Sequence, residues 1–232
     1  GDGWGDWNAP ALDPGADEGS DCDDADAGLE RCALLITNDG TANAALDGPL
    51  VMVLEALGVS VIVAEDLPVT TSEANPAALV VISETALSGQ VGAKFRTVDE
   101  GVIVMEGLVW DDMDMSPSGI AVDDIDVSIL DDLNPIAAGL TGTVSFMLDD
   151  PGSGIFHTSP NANAQLVASR VANPAQVSVY AFEQGAVMED AFAAPGRRVG
   201  FSADVDAGSG NNGQLGAQGL LMFEAAAIWA LE

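Results

Sequence analysis

The sequence predicts an α/β protein with a mostly parallel sheet, added β-strands in the C-terminal half and helices on both faces. In the first half of the chain, short continuous apolar runs alternate with segments of helical spacing. This is the pattern of buried parallel strands and their connecting helices. The second half has more short apolar segments between turn residues, which indicates additional strands. With 48% hydrophobic residues, the chain can bury a sizeable core.

Strands and helices alternate in the first half. CALLIT at 32–37 is an apolar run typical of a buried strand, and the polar residues 38–43 form a turn after it. Apolar residues at helical spacing predict a helix over 45–58, which Gly58 ends. The same reasoning predicts further strands at 59–65, 78–83 and 101–106, and a further helix at 89–98.

The second half is predicted to be richer in strands and to close with an apolar-faced helix over 213–232. Its strands are predicted at 125–130, 142–148, 164–170, 177–183 and 197–204. Because the composition changes abruptly at Cys32, we expect two units. They are an acidic segment, 1–31, and an α/β domain, 32–232.

The charge of the chain is strongly unbalanced, with 37 acidic residues against six Lys and Arg and a formal net charge of −31. Such a chain repels nucleic acid and anionic lipid, so we expect no nucleic-acid partner. It also has no run of about 18 apolar residues, so we expect no membrane insertion. The acidity is typical of saline surroundings, of calcium loading, or of subunit contacts that cations screen. The sequence leaves these three explanations open.

The first 31 residues have the composition of a calcium-binding segment. Carboxylates recur there at short steps among glycines, and Ca²⁺ takes six to eight oxygen ligands in a flexible shell. A solvated acidic linker is the alternative. The candidate ligands are Asp2, Asp6, Asn8, Asp21, Asp23, Asp24, Asp26 and Glu30.

Cys22 and Cys32 are the two cysteines of the chain, and we expect them to form a disulfide that closes a short loop. Disulfides persist outside the reducing cytosol, so this pairing favours a secreted, extracellular protein of a cell surface or matrix. The chain begins at Gly1 without a signal peptide, as expected of a mature or excised fragment. Two free thiols are the alternative.

The pieces DGWGD (2–6) and DCDDAD (21–26) resemble the acidic calcium-binding repeats of thrombospondin type 3 and related short repeats of secreted bacterial proteins. The resemblance covers about thirty residues. The segment departs from an EF-hand, because it lacks the twelve-residue spacing and the terminal bidentate Glu.

The main body resembles a second family. Residues 78–115, 134–144 and 194–204, followed by the terminal helix, are similar to a secreted bacterial domain of the ThuA-like and class I glutamine amidotransferase-like group. The resemblance covers about residues 32–232. It implies a flavodoxin-like fold with ligand sites beyond the carboxyl ends of the strands. It does not imply an activity, since such secreted copies have no assigned reaction.

Amidotransferases of this group carry a nucleophilic Cys after a central strand, and the matching position here is Glu106, followed by Gly107. His157 in FHTSP is similar to the C-terminal His of those enzymes. Together Glu106 and His157 are weak catalytic candidates, since a base without a nucleophile performs no acyl transfer. The alternative is that both make structural hydrogen bonds.

Two further segments contain candidate binding residues. The loop at 203–214 has Asp204 and Asp206 as candidate Ca²⁺ ligands and Asn211 and Asn212 as candidate ligand-binding amides, with a flexible loop as the alternative. Trp110, beside three carboxylates, is a candidate saccharide surface or a buried core residue.

Two tryptophans of the acidic segment, Trp4 and Trp7, have no core of their own. We therefore expect them to dock on the main body or on another subunit.

Three functions follow from these features. The first is a noncatalytic, calcium-stabilised structural or adhesive module that self-associates, forms filaments or binds other surface proteins. The second is a carbohydrate-binding accessory domain of a secreted multidomain protein. The third is an altered hydrolase that uses Glu106 and His157. Because fold alone does not determine function, the ranking in this order rests on the residues of each site.

Overall fold

The computed structural model describes residues 31–148, 153–205 and 214–232, and strands alternate with helices through the first half of the chain. All residues of the first, third and fourth strands are buried, as in strands covered on both faces. The strands are β1 (Cys32–Thr37), β2 (Ser60–Glu65), β3 (Leu79–Ile82) and β4 (Gly101–Val104). The helices are α1 (Gly48–Ala56), α2 (Thr71–Ala74) and α3 (Ser88–Val91).

The second half consists mainly of strands and ends with the helix α4 (Ala217–Leu231). Its strands are β5 (Ile120–Val122), β6 (Asp126–Ile129), β7 (Thr143–Ser145), β8 (Ser153–His157), β9 (Gln165–Arg170), β10 (Asn173–Phe182), β11 (Arg198–Phe201) and β12 (Asp204–Val205). Short 3₁₀ turns lie at Gly107–Val109, Pro135–Ala137 and Glu189–Ala191.

In the described residues, nine strands form one sheet in the order β2-β1-β3-β4-β11-β10-β9-β6-β7. The strands from β2 to β11 are parallel, and those from β10 to β7 are added antiparallel. A small antiparallel sheet, β12-β8-β5, is distinct from this one, and a bridge between Thr158 and Val177 joins it to β10. The predicted α/β, flavodoxin-like fold with strands added in the C-terminal half is therefore confirmed.

Two apolar clusters cover the two faces of the sheet. On one face, α1 and α4 pack against the strands through residues such as Leu54 and Phe223. On the other face, the short helices α2 and α3 contribute Ala74 and Val91, and the bulk comes from Phe95, Trp110 and Tyr180. Within the described residues, no helix combines the length and the apolar character that crossing a bilayer requires.

All four helices of the described residues differ from the sequence-based bounds, and α1 (Gly48–Ala56) is shorter than the predicted helix at 45–58. The predicted helix at 89–98 ends early, because α3 stops at Val91 and Gly92 adopts a φ of 47°. A capping box formed by Thr70 and Glu73 starts the unpredicted helix α2. The terminal helix α4 begins at Ala217, after Gly216 as its N-cap.

Candidate functional site

A cavity of about 810 Å³ opens at the carboxyl edge of the parallel strands. Loops after β1, β3 and β4 supply most of its wall, and β5 and β8 of the small sheet close the remaining side. The connection from β1 leads to β2 on one side, whereas β3 lies on the other side of β1. The cavity therefore lies at the topological switch point, where open α/β sheets bind their ligands.

The loop after β1 carries an acidic side chain at the cavity mouth. Asp39 is exposed, and its Oδ1 accepts hydrogen bonds from the Thr41 hydroxyl at 2.7 Å and the Thr41 amide at 3.0 Å. These hydrogen bonds hold the pKa of Asp39 below its usual value. The mouth of the cavity therefore carries a fixed negative charge at neutral pH.

The buried Asp47 ties the loop after β1 to the loop after β3. Its carboxylate accepts from the Asn43 amide at 2.7 Å, from the Thr85 hydroxyl at 3.4 Å and from the Ser83 hydroxyl. Burial raises the pKa of Asp47, although these donors oppose the shift. Because Asn43 and Thr85 line the cavity, Asp47 sets the spacing of two of its walls.

Asp66 plays the same role for the loop after β2. Its Oδ2 accepts from the Leu87 amide at 2.6 Å, and its side chain is buried. Lys94 Nζ donates to the backbone carbonyls of Asp66 and Leu67 at 2.5 and 2.8 Å. The segment at 84–88, which lines the cavity, is therefore held from both sides by buried carboxylates.

Glu106 lies on the cavity wall just after β4, where the sequence placed it. It is 9% exposed, and its side chain accepts a hydrogen bond from the Leu108 amide at 2.9 Å, which caps the following 3₁₀ turn. Glu84 lines the same cavity and is half-buried. The acidic side chains are thus arranged from the exposed mouth at Asp39 to the buried position of Glu106.

Phe156 lines the same cavity as an apolar group, and it is 6% exposed. Its ring contacts Trp110 edge-on at 5.4 Å between centroids. A Cβ at Gly107 would lie 2.3 Å from Phe156 Cγ, and one at Gly119 would lie 2.5 Å from Phe156 Cε1. The two glycines therefore make room for the ring. Leu108, which is 59% exposed, extends the apolar surface to the rim.

His157 is fully buried on the other side of β8, since neighbouring strand residues point to opposite faces. Its Nδ1 lies 2.8 Å from Ser178 Oγ, and its Nε2 lies 3.5 Å from Asp124 Oδ2. Burial lowers its pKa to about 4, against the opposing effect of Asp124. The structure thus places Glu106 on the cavity wall and directs His157 to Ser178 and Asp124 instead.

Trp110 is 1% exposed and belongs to the core. Its Nε1 donates to the Val104 carbonyl at 3.0 Å, and its rings contact Phe156 and Tyr180 edge-on. The core interpretation of Trp110 therefore fits the structure, and its burial leaves no open ring face for a saccharide.

The remaining predicted site residues are not tested. No cysteine in the described residues is free, and Cys32 opens β1, but Cys22 lies outside those residues. Asp204 lies in β12. Among the described residues, no group of three or more His, Cys, Asp or Glu is arranged to hold a metal ion. The predicted residues outside the described part are Asp2, Trp4, Asp6, Trp7, Asn8, Asp21, Asp23, Asp24, Asp26, Glu30, Asp206, Asn211 and Asn212.

Asp39 and Asp47 are site residues that the sequence did not single out. Asp39 lies in the segment interpreted as a turn, and Asp47 lies inside the predicted helix at 45–58. The sequence DGP at 47–49 was the available signal, because Asp favours an N-cap position and Pro the first helical turn.

Fold and cavity together define an open α/β protein with a ligand-sized cavity at its switch point. No family model and no curated protein matches the chain. Among solved structures, a ThuA-like protein from Bacteroides uniformis matches with a TM-score of 0.55 and 10% sequence identity, covering 89% of this chain and 93% of that chain. At this identity the similarity shows the fold alone. The ThuA-like fold is confirmed, whereas secretion and the thrombospondin-like segment stay predictions.

Proposed function

We propose that this chain is a noncatalytic, secreted binding module that holds a small saccharide in the cavity at its switch point. One observation supports this most directly: polar groups from three loops and the apolar ring of Phe156 line one cavity of about 810 Å³. Cavities of roughly 300–1,000 Å³ hold small molecules. A sugar presents hydroxyls along its edges and an apolar C–H face, which matches such a pair of walls.

The polar wall suits hydroxyl groups in particular. Asn38, Asn43, Thr41, Thr85 and Ser88 line the cavity, and their amides and hydroxyls both donate and accept hydrogen bonds. Because a saccharide hydroxyl also does both, each of these groups can find a partner on the ligand.

Two features support a noncatalytic role. Glu106 occupies the position at which the resembling amidotransferases carry their nucleophilic Cys, and a carboxylate does not replace a thiolate in thioester chemistry. The buried His157 is held by Ser178 and Asp124, away from the cavity wall.

A panel of neutral oligosaccharides, titrated into the full chain by calorimetry, tests the proposal. Ala121 is exposed and lines the cavity, so Ala121→Trp should block binding. Val171→Trp, at an exposed turn between β9 and β10, is the matched control and should leave binding unchanged. Absence of binding across the panel, or binding that survives Ala121→Trp, would contradict the proposal.

The second candidate is the calcium-stabilised structural module, and the state of the basic residues favours it. Five basic side chains each contact another group of the chain, so they do little to neutralise the acidic side chains on the rest of the surface. They are Lys94, Arg96, Arg170, Arg197 and Arg198. A net charge of −31, with five of the six Lys and Arg side chains so engaged, leaves an acidic surface that external cations must screen before copies can associate.

Light scattering at constant ionic strength tests this second candidate. Growth of large particles on addition of Ca²⁺, reversed by a chelator, is the expected result for a calcium-bridged subunit. A mass that stays at one chain throughout would exclude assembly.

A further inference from the structure

We infer that acid opens the cavity on one side, because a buried junction around His157 ties the small sheet β12-β8-β5 to the main sheet only while the imidazole is neutral. The junction consists of His157, Ser178, Asp124 and Arg170. It acts on the cavity directly, since β5 and β8 form one side of it and Phe156, which lines it, is the neighbour of His157 in β8. Such a device regulates the cavity whatever ligand it takes, so it goes beyond the proposed function.

Hydrogen bonds attach the small sheet to the main sheet on both sides of His157. Its Nδ1 lies 2.8 Å from Ser178 Oγ on β10. Thr158 exchanges backbone hydrogen bonds with Val177 of β10 at 2.9 and 2.7 Å. The amide of the residue before His157 donates to Ser202 Oγ, just after β11, at 2.6 Å. Among these five residues, His157 is the one whose side chain titrates, so it couples the attachment to pH.

One carboxylate oxygen of the junction faces two cationic side chains. Asp124 Oδ2 lies 2.7 Å from Arg170 Nε and 3.5 Å from His157 Nε2, and the imidazole has no exposed surface. In the described residues, Asp124 and Arg170 are the charged groups that act on it, since its neighbours on β10 and β5 are Ser178 and Ile120. Once protonated, His157 would share that oxygen with the guanidinium, and a buried positive charge would be left without compensation.

The closed junction is therefore the form that excludes the proton. Burial lowers the pKa of His157 from 6.5 to about 4; Asp124 opposes this shift, and Arg170 adds to it. When β8 separates from β10, the imidazole reaches water and its pKa returns towards 6.5. Between these values the open form binds a proton that the closed form does not, so acid favours opening. From pH 7 to pH 5 the two pKa values raise the opening equilibrium by up to roughly 20-fold.

Hydrogen exchange of the full chain without ligand, at pH 7 and pH 5, tests this opening. Rates are corrected for the intrinsic pH dependence of amide exchange. The junction amides are those of Phe156, Thr158 and Val177, and amides of β1 and β3 in the parallel half serve as the reference. We expect the junction amides to exchange through an opening that leaves the reference amides protected. The equilibrium constant of that opening should rise about 10- to 20-fold from pH 7 to pH 5.

Matched variants assign the pH response to His157. His157→Asn keeps a polar side chain that does not titrate and should remove the response. Arg170→Gln removes the competing cation, so Asp124 can serve the imidazolium alone and the response should shrink. This second variant also keeps the test open if His157→Asn does not fold. Glu100→Gln removes a carboxyl whose pKa burial raises, just before β4 at the other edge of the sheet, and should leave the response intact.

Two results would overturn the inference. If the junction amides exchange no faster than those of β1 and β3 at either pH, the small sheet does not open by itself. If the rise at pH 5 persists in His157→Asn, or is lost equally in Glu100→Gln, the junction at His157 is not the group that responds to acid. A rise that His157→Asn removes, Arg170→Gln reduces and Glu100→Gln preserves is the expected result.

Discussion

The two ends of the parallel sheet hold their loops by opposite chemistry. At the carboxyl end, the buried carboxylates of Asp47 and Asp66 accept hydrogen bonds from loop amides and hydroxyls. At the amino end, the buried guanidinium of Arg198 donates to the carbonyls of Glu100, Arg197 and Val98. One end is organised by acceptors and the other by a donor.

This difference explains which end can bind a ligand. At the carboxyl end, the carboxylates of Asp47 and Asp66 hold the loops at fixed positions, and the cavity forms between the loops after β1, β3 and β4. At the amino end, a single planar group draws the turns before β4 onto the start of β11. Because Arg198 has no exposed surface, its donors serve the fold rather than a ligand.

The largest predicted effect concerns the amino end. Arg198→Met leaves several backbone carbonyls without their donor in a buried place, and we expect the free energy of unfolding to fall by about 3–5 kcal/mol. Urea-induced unfolding, monitored by circular dichroism, measures this decrease in the free energy of unfolding. Burial lowers the pKa of Arg198 to about 10, and the nearby carboxylates of Glu100 and Asp99 oppose that shift.

Two variants serve as comparisons for this result. Arg198→Lys keeps the charge but not the planar fork, so its loss should be intermediate. Arg197→Met removes a neighbouring and partly exposed side chain that pairs with Glu183, and we expect a loss of about 1 kcal/mol or less. If Arg197→Met and Arg198→Met reduce the free energy of unfolding equally, the buried guanidinium of Arg198 does not stabilise the fold more than a partly exposed one does.

The next effect concerns His157, behind the apolar wall of the cavity. Its pKa falls from 6.5 to about 4 on folding, so the unfolded chain binds the extra proton between these values. Above pH 6.5, His157 is neutral in both states and does not reduce the free energy of unfolding. As the pH falls from 6.5 towards 4, the unfolded chain takes up the proton first, so the free energy of unfolding decreases. A shift of this size corresponds to about 3 kcal/mol at most.

Unfolding measured across this pH range, in wild type and His157→Asn, isolates the contribution of the histidine. Burial raises the pKa values of Asp47, Glu100 and Asp114 as well, but both proteins contain these groups, so the comparison cancels their contribution. The wild type should lose more stability than the variant between pH 6.5 and 4. Parallel curves would show that His157 is not held neutral by the fold.

Local sequence pattern predicted the parallel half well. The run predicted at 32–37 has the same bounds as β1. A continuous apolar segment of this length, followed by turn residues, is typical of a strand that is buried on both faces. The strand β8 was missed, since SGIFH contains a glycine and few apolar residues. It forms through pairing with β5 and β12, which are distant in sequence.

The site could be predicted less completely than the fold. Glu106 was found because it follows a recognisable strand at a position that the family resemblance marks. Asp39 and Glu84 lie in loops whose meeting depends on the order of β1, β3 and β4 in the sheet. That order is set by packing over the whole domain, and no local pattern encodes which loops become neighbours.

The smallest predicted effect concerns the glycines of the carboxyl end. In Gly107→Ala the new Cβ would lie 2.3 Å from Phe156 Cγ, so the ring must move and the apolar wall of the cavity must deform. We expect a loss of about 1–3 kcal/mol in unfolding free energy. Saccharide binding should weaken as well, because the ring no longer faces the cavity.

Gly89→Ala in α3 is the matched change, since nothing lies within 4 Å of its new Cβ. Alanine is the better helix former by about 1 kcal/mol, so this variant should be unchanged or more stable. Similar behaviour of the two variants would mean that Phe156 adjusts freely. The ring of Phe156 would then be a deformable part of the cavity, and the loops held by Asp47 and Asp66 would remain the part that selects a ligand.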